Sequence, residues 1–212
     1  MVLHTVDFES QDELLNPGDF DAAWSALGAL GRGYLVIFNG GKDAGASLNH
    51  KHLQVVPRAE RGGLEGLLGA DEGGGGMFYR RWGVAMQNME GRGPLTTIHA
   101  GLSNRLKEVP FSLAARSLPS RPEGGVLNAL FLDMREELRL RPGDAYNMVL
   151  YHHHMLVIPR RTANIDGVDA NAAGMTGMVW CSSEEQYQEW LRRGPMEWLL
   201  DFGVPKEGVL EG

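Results

Sequence analysis

A single cysteine, Cys181, stands in a chain of 212 residues, so no internal disulfide can form, as befits a reducing compartment. No apolar run approaches the roughly 20 residues that a bilayer-spanning helix needs. Met1–Asp7 has neither the basic start nor the apolar middle of a signal peptide, and the expected location is the cytoplasm. Positive charge is also scarce: 20 Lys and Arg against 27 Asp and Glu give a formal net charge of −7. That balance argues against nonspecific attachment to nucleic acid or an anionic membrane. It leaves room for an anionic small molecule, which answers to local donors such as Lys42, Lys51 and Arg58. There is no internal repeat and no coiled coil, and the length suits one domain with a real core.

What the chain does have is glycine, 29 residues of it, and one stretch where glycine meets histidine. Tyr34 to Pro57 reads YLVIFNGGKDAGASLNHKHLQVVP. An apolar run (Tyr34–Phe38) leads into a glycine-rich turn (Asn39–Ser47), and a second strand-like run ends at Pro57. Strand side chains repeat with period two, so His50, His52 and Gln54 are expected on one face, a reactive surface rather than a core. A neutral imidazole is a good nucleophile near pH 7. Attack on phosphorus needs one ring nitrogen aimed at the phosphoryl group and the other held as a donor, usually to a carbonyl. A second histidine on the same face can brace the site, and Gln54 offers an amide N–H to a phosphoryl oxygen without titrating. Gly45, Ala46 and Ser47 can turn backbone N–H groups toward an anion, and Asn39 can add a side-chain donor. Alternating histidines can also chelate a metal, but Gln is a poor ligand and no acidic residue lies at a useful spacing. A purely structural role is the remaining alternative; the phosphoryl site is the reading preferred.

The rest of the chain supplies a frame. Met1–Thr5 reads as a short strand, and Asn16-Pro17-Gly18-Asp19 as a turn and cap. A helix follows with Phe20, Ala23, Trp24 and Leu27 on one face, frayed at Gly28, Gly31 and Gly33. Arg58–Gly76 reads as a flexible surface loop, with a lid as the less favoured alternative. Met77–Gln87 has no clear period, and Arg80 and Arg81 read as a solvated pair or as phosphate contacts. A helix is expected over Val126–Leu140, with Leu127, Leu130, Phe131, Met134 and Leu138 inward. Ala145–Arg161 reads as two strands joined near Tyr151–His154. Of its three adjacent histidines, only His152 and His154 could share a metal, and a polar hairpin is preferred. A strand is expected at Met178–Trp180. A helix capped at Ser182–Glu185 follows, with Tyr187, Trp190 and Leu191 inward. Gly194-Pro195 breaks it before a last short helix, Met196–Phe202.

N-G-G-K-D-A-G-A-S-L-N-H-K-H-L-Q-V-V-P resembles the active-site segment of the histidine-triad superfamily, in the branch where Gln replaces the last histidine. That branch holds the galactose-1-phosphate uridylyltransferases and the diadenosine tetraphosphate phosphorylases (ATP adenylyltransferases). The spelling G-A-S-x-x-H-K-H-L-Q is closer to the phosphorylases, since the uridylyltransferases usually have proline where this chain has Lys51. F-E-S-Q ahead of the capped helix, Val109-Pro110-Phe111 and Val204-Pro205 are similar to the same family. So are Tyr146, Asn147, Met155, Pro159 and Arg160, and the N-x-x-G-x-x-G spacing of Asn171, Gly174 and Gly177, which in the family returns the chain toward the active site. Tyr151 stands at the family's threonine near the nucleotide and His154 at its tryptophan. The family places a lysine-bearing segment ahead of F-E-S-Q, and this chain is expected to lack it or to receive it from another chain.

The resemblance implies an α+β fold: a mostly antiparallel sheet of the histidine-triad type with helices packed on one side. It would be a single domain over 1–212, with 1–144 as the catalytic part and 145–212 as the C-terminal part. It also implies phosphorolysis of diadenosine tetraphosphate to ATP and ADP. In that scheme His52 attacks the α-phosphorus, Gln54 holds a nonbridging oxygen, and His50 braces the site. Asn39, Gly45, Ala46 and Ser47 bind the phosphates. The expected partners are a nucleotide and phosphate. No cofactor is tightly bound, no protein-borne metal site is visible, and Mg2+ would come with the polyphosphate. The alternatives are another nucleotidyltransferase, a dinucleoside polyphosphate hydrolase, or a nucleotide-binding protein without catalysis; nucleoside identity and oligomeric state stay open.

Overall fold

The run Tyr34–Phe38 is apolar at consecutive positions, the pattern of a strand covered on both faces. In the computed structural model, which describes residues 1–57, 109, 111–179, 181 and 183–206, this run forms β2 (Tyr34–Gly40) at the middle of a six-stranded sheet. One flank of β2 is β3 (His52–Pro57), bordered in turn by β1 (Val2–His4). The other flank is β5 (Tyr146–Leu150), followed by β6 (His154–Pro159) and β4 (Ala114–Ser117). Every pairing is antiparallel. Ile37 lies opposite Gln54 in β3 and opposite Val149 in β5.

Helices cover both faces of this sheet, not one as expected. On the first face lie α1 (Pro17–Leu30) and α2 (Gly124–Glu137). Phe20, Ala23, Leu27, Leu127, Phe131 and Met134 pack there against Val36, Phe38, Leu53, Val55, Met148 and Leu150. The second face carries Leu35, Ile37, Val149, Leu156 and Ile158, which meet the last third of the chain. That third begins with a hairpin, β7 (Asn164–Ile165) and β8 (Val168–Asp169). It continues through α3 (Ala172–Met175), α4 (Glu184–Arg193) and α5 (Pro195–Phe202). The reason is in the strands themselves: both-sided apolar runs such as YLVIF and MLVIP need cover above and below.

Local signals explain most boundaries. Asn16 accepts from the N–H groups of Gly18 and Asp19 while Asp19 accepts from the N–H of Asn16, a reciprocal capping box at the start of α1. Trp190, Trp198 and Phe202 cluster with ring centroids 5.8 to 6.0 Å apart, which folds α4 onto α5 at Gly194. Leu191, expected inward, is 44% exposed, because the cluster sits a quarter turn away. Met178 and Val179 lie in no strand, so that expectation fails. The expected loop Arg58–Gly76, its lid alternative, Met77–Gln87 and the pair Arg80 and Arg81 fall outside the described residues. Among the described residues, no helix is long and apolar enough to cross a membrane.

Candidate active site

His52 opens β3 on the second face and is 4% exposed. Its Nδ1 is 2.9 Å from the carbonyl oxygen of His50. A carbonyl can only accept, so Nδ1 carries the proton and Nε2 keeps its lone pair. A ring held this way is prepared for nucleophilic attack. Gln54, two residues on, shares the face and is half-buried.

His50 departs from the expected alternation. The strand begins at His52, and His50 makes only an isolated bridge to Ser10. Its Nε2 is 2.9 Å from Thr5 Oγ1 and 3.2 Å from the Asp7 carbonyl, and its ring lies 5.6 Å from that of His4 and 5.5 Å from that of Phe8. The N-terminal segment claims this side chain, and His50 braces His52 through its main-chain carbonyl. Lys51, expected among the anion donors, points to the other face. It is 1% exposed, with Nζ 2.5 Å from Glu9, 3.5 Å from Asp19 and 3.2 Å from the Leu14 carbonyl. Consecutive strand residues face opposite ways, which is why Lys51 and His52 part company.

Beyond β2 the chain makes a tight 3-10 turn over Lys42–Ala44, entered at Gly41 and left at Gly45 with φ of +92° and +91°. The N–H of Gly45 donates to the Lys42 carbonyl at 2.9 Å and that of Ala46 to the Gly41 carbonyl at 3.3 Å. Two of the three loop amides expected to face an anion are thus engaged within the turn, and Ser47 is exposed beyond them. Gly45 is required twice over: its φ is positive, and a Cβ there would lie 2.8 Å from Asn171 Cβ. The Asn171 stretch does return to the loop.

Asn39, at the end of β2, is buried. Its Oδ1 accepts from Asn147 Nδ2 and from the Ala172 N–H, both at 2.9 Å. The paired register ends at Ile37–Gln54, and one same-face step further the Gln11 side chain bridges the backbones of Asn39 and His52. Arg160 backs the arrangement from below. Its guanidinium donates to Asn147 Oδ1 at 2.5 Å and to the carbonyls of Thr162 and Ala170 at 2.7 Å. Burial pushes its pKa down to about 9, which leaves it charged at neutral pH.

Two residues of this site stood inside quoted motifs without a role assigned to them. Gln11 is 2% exposed; its Nε2 donates to the carbonyls of Asn39 (2.8 Å) and His52 (3.3 Å), and its Oε1 accepts from the His52 N–H at 2.7 Å. The F-E-S-Q spelling was its signal, though nothing local said where the amide would go. Arg160 was visible as a family match but not as the anchor of Asn147. At Tyr151–His154 the two strands do join; His152 packs edge-on to Trp24 at 5.8 Å. Among the described residues, no cluster of three or more His, Cys, Asp or Glu side chains is placed to hold a metal ion.

An antiparallel α+β sheet presents a directed imidazole beside two amides, the equipment that nucleophilic attack on a phosphoryl group would use. The comparisons narrow that reading. Residues 1–64 match the Ap4A phosphorylase N-terminal domain and residues 107–205 the ATP adenylyltransferase C-terminal domain, where Ap4A is diadenosine tetraphosphate. Protein APA1 of Saccharomyces cerevisiae is 23% identical over 96% of this chain and 64% of its own length. The crystal structure of yeast Ap4A phosphorylase Apa2 with AMP superposes with a TM-score of 0.71 at 21% identity, covering 98% of this chain and 70% of that one. Its complex with Ap4A gives 0.70 at 22% identity, over 96% of this chain and 69% of that one. The chain belongs to the Ap4A phosphorylase family. It spans just under two thirds of the curated relative's length.

Proposed function

We propose that this protein is a nucleotidyltransferase that cleaves diadenosine tetraphosphate with phosphate to ATP and ADP, through an adenylyl-histidine at His52. One observation carries the reading: the hydrogen bond from His52 Nδ1 to the His50 carbonyl, which leaves Nε2 as the nucleophile. Nε2 attacks the α-phosphorus and displaces the remaining nucleotide; phosphate then attacks the same phosphorus and frees the histidine. Gln54 holds a nonbridging oxygen, Asn39 and Ser47 donate to the phosphates, and Gly45 and Ala46 shape the loop that receives them. His50 braces the nucleophile. An amide at position 54 can neither protonate a leaving group nor activate water, so the adenylyl intermediate waits for an anionic acceptor.

The solved relative that carries Ap4A supports the substrate class. Magnesium accompanies the polyphosphate as part of the substrate. Residues 1–212 act as one histidine-triad-like domain in the cytoplasm.

The test is a product assay with diadenosine tetraphosphate, with and without phosphate, on the wild type and on His52→Asn. We expect ATP and ADP only when phosphate is present, and a loss of about a thousandfold or more in the variant. Hydrolysis without phosphate would make the protein a hydrolase. Binding without turnover, equal in both proteins, would make it a nucleotide-binding protein.

A further inference from the structure

The amide of Asn39 has only one orientation that its surroundings accept. The Ala172 N–H must meet an acceptor, so Oδ1 turns inward, 2.9 Å away. Asn147 then has to present Nδ2 to that same oxygen, at 2.9 Å, while also donating to the Ala44 carbonyl at 2.8 Å. Its own Oδ1 is left for Arg160 Nη1, at 2.5 Å. Each choice forces the next, so the chain guanidinium, Asn147, Asn39 runs donor to acceptor in one sense. It ends at Asn39 Nδ2, the amide's remaining donor. All three residues are buried, at 6%, 0% and 2% exposure. Among the described residues Arg160 has no carboxylate in ion-pair contact; carbonyls from Ala44, Thr162, Ala170 and Phe202 complete its shell. Its positive end therefore polarises the amides rather than being neutralised beside them, and aligned hydrogen bonds of this kind reinforce one another.

We propose that Arg160 and Asn147 are positioning residues for the transfer reaction, which act through Asn39 by fixing and strengthening Nδ2 as a donor to the substrate's phosphoryl oxygens beside His52. The inference rests on the proposed placement of Asn39 at the substrate. It extends that placement to two side chains that never touch the ligand. The same Asn147 Nδ2 ties down Ala44, so the glycine loop and the Asn39 donor are set together.

Asn147→Asp tests this with almost no change in shape. The carboxylate still accepts from Arg160, yet it has no N–H for Asn39 Oδ1. We expect a folded protein with a lowered thermal midpoint, because a carboxylate oxygen now faces the Ala44 carbonyl and Asn39 Oδ1, and turnover is read at a temperature where the variant stays folded. We also expect phosphate-dependent cleavage of diadenosine tetraphosphate to fall about tenfold to a hundredfold, as when a preorganised donor is lost. In an Asn39→Ala background the same substitution should cost several-fold less than in the wild type, the remainder being the share that runs through Ala44. Losses that multiply across the pair would overturn the inference. Should Asn147→Asp fail to fold, Arg160→Lys enters the same cycle. A second readout does not depend on turnover: the side-chain amide resonances of Asn39 should move in Asn147→Asp, and unchanged resonances would defeat the proposal. A wild type with no turnover would defeat the proposed function alone, and the amide resonances would still decide this inference.

Discussion

Gln11 occupies the place where the ladder between β2 and β3 gives out. The last pair of the ladder is Ile37 with Gln54, and one same-face step further the two backbones are joined by the Gln11 amide instead, which meets the Asn39 carbonyl and both backbone groups of His52. The side chain acts as a piece of strand set crosswise. Gln11→Ala should therefore remove support from a buried N–H and two buried carbonyls, and we expect a loss of about 2 to 4 kcal/mol in denaturant unfolding. Gln11→Glu keeps the acceptor for the His52 N–H but sets a carboxylate against two carbonyls, so it should be no better than Ala. A glutamate variant of wild-type stability would show that the Nε2 contacts are idle. The contrast with His52 says what a sequence can disclose at this scale. His52, Gln54 and Asn39 were legible because strand alternation is local. Gln11 reaches His52 across 41 positions and Arg160 reaches Ala44 across 116, and no periodicity reports a partner that far away.

The turn between β2 and β3 is an element whose shape is held from outside. Gly45 carries φ +91°, and a Cβ there would meet Asn171 Cβ at 2.8 Å and its Cα at 3.0 Å. Gly143 offers a matched control, with φ +89° and nothing within 4 Å of its imagined Cβ. Both Gly→Ala changes pay left-handed strain of about 1 to 2 kcal/mol, but only Gly45→Ala also pushes α3 from the loop. Gly45→Ala should thus be the more destabilising by about 1 kcal/mol or more, and it alone should impair turnover, since α3 delivers the Ala172 N–H to Asn39. Equal effects in thermal unfolding would mean that Asn171 gives way freely. The glycine richness of this turn was plain in the sequence. Its internal hydrogen bonds were not, because they depend on how tightly Gly41 and Gly45 wind it. The placement of α4 and α5 was hidden for a related reason: Trp190, Trp198 and Phe202 announce buried helices without saying which face of the sheet they bury.

On the scale of the molecule, the sheet divides its work between faces. One side of β3 carries His52 and Gln54 toward the proposed chemistry. The other carries Lys51, Leu53 and Val55 toward α1 and the N-terminal segment. Lys51 is the charged member of that structural face, enclosed by Glu9, Glu13 and Asp19, of which Asp19 is 7% exposed. Removing one partner of a buried ion pair strands the other, at about 3 to 5 kcal/mol. Lys51→Met should accordingly cost about 3 kcal/mol in denaturant unfolding, and adding Asp19→Asn should recover part of it. If the faces are separate in function, the folded fraction of Lys51→Met should still cleave diadenosine tetraphosphate within about threefold of the wild type, because the Lys51 side chain points to the face opposite His52. A fall in turnover as steep as that of His52→Asn, at a temperature where the protein stays folded, would return Lys51 to the phosphates and bind the two faces into one device.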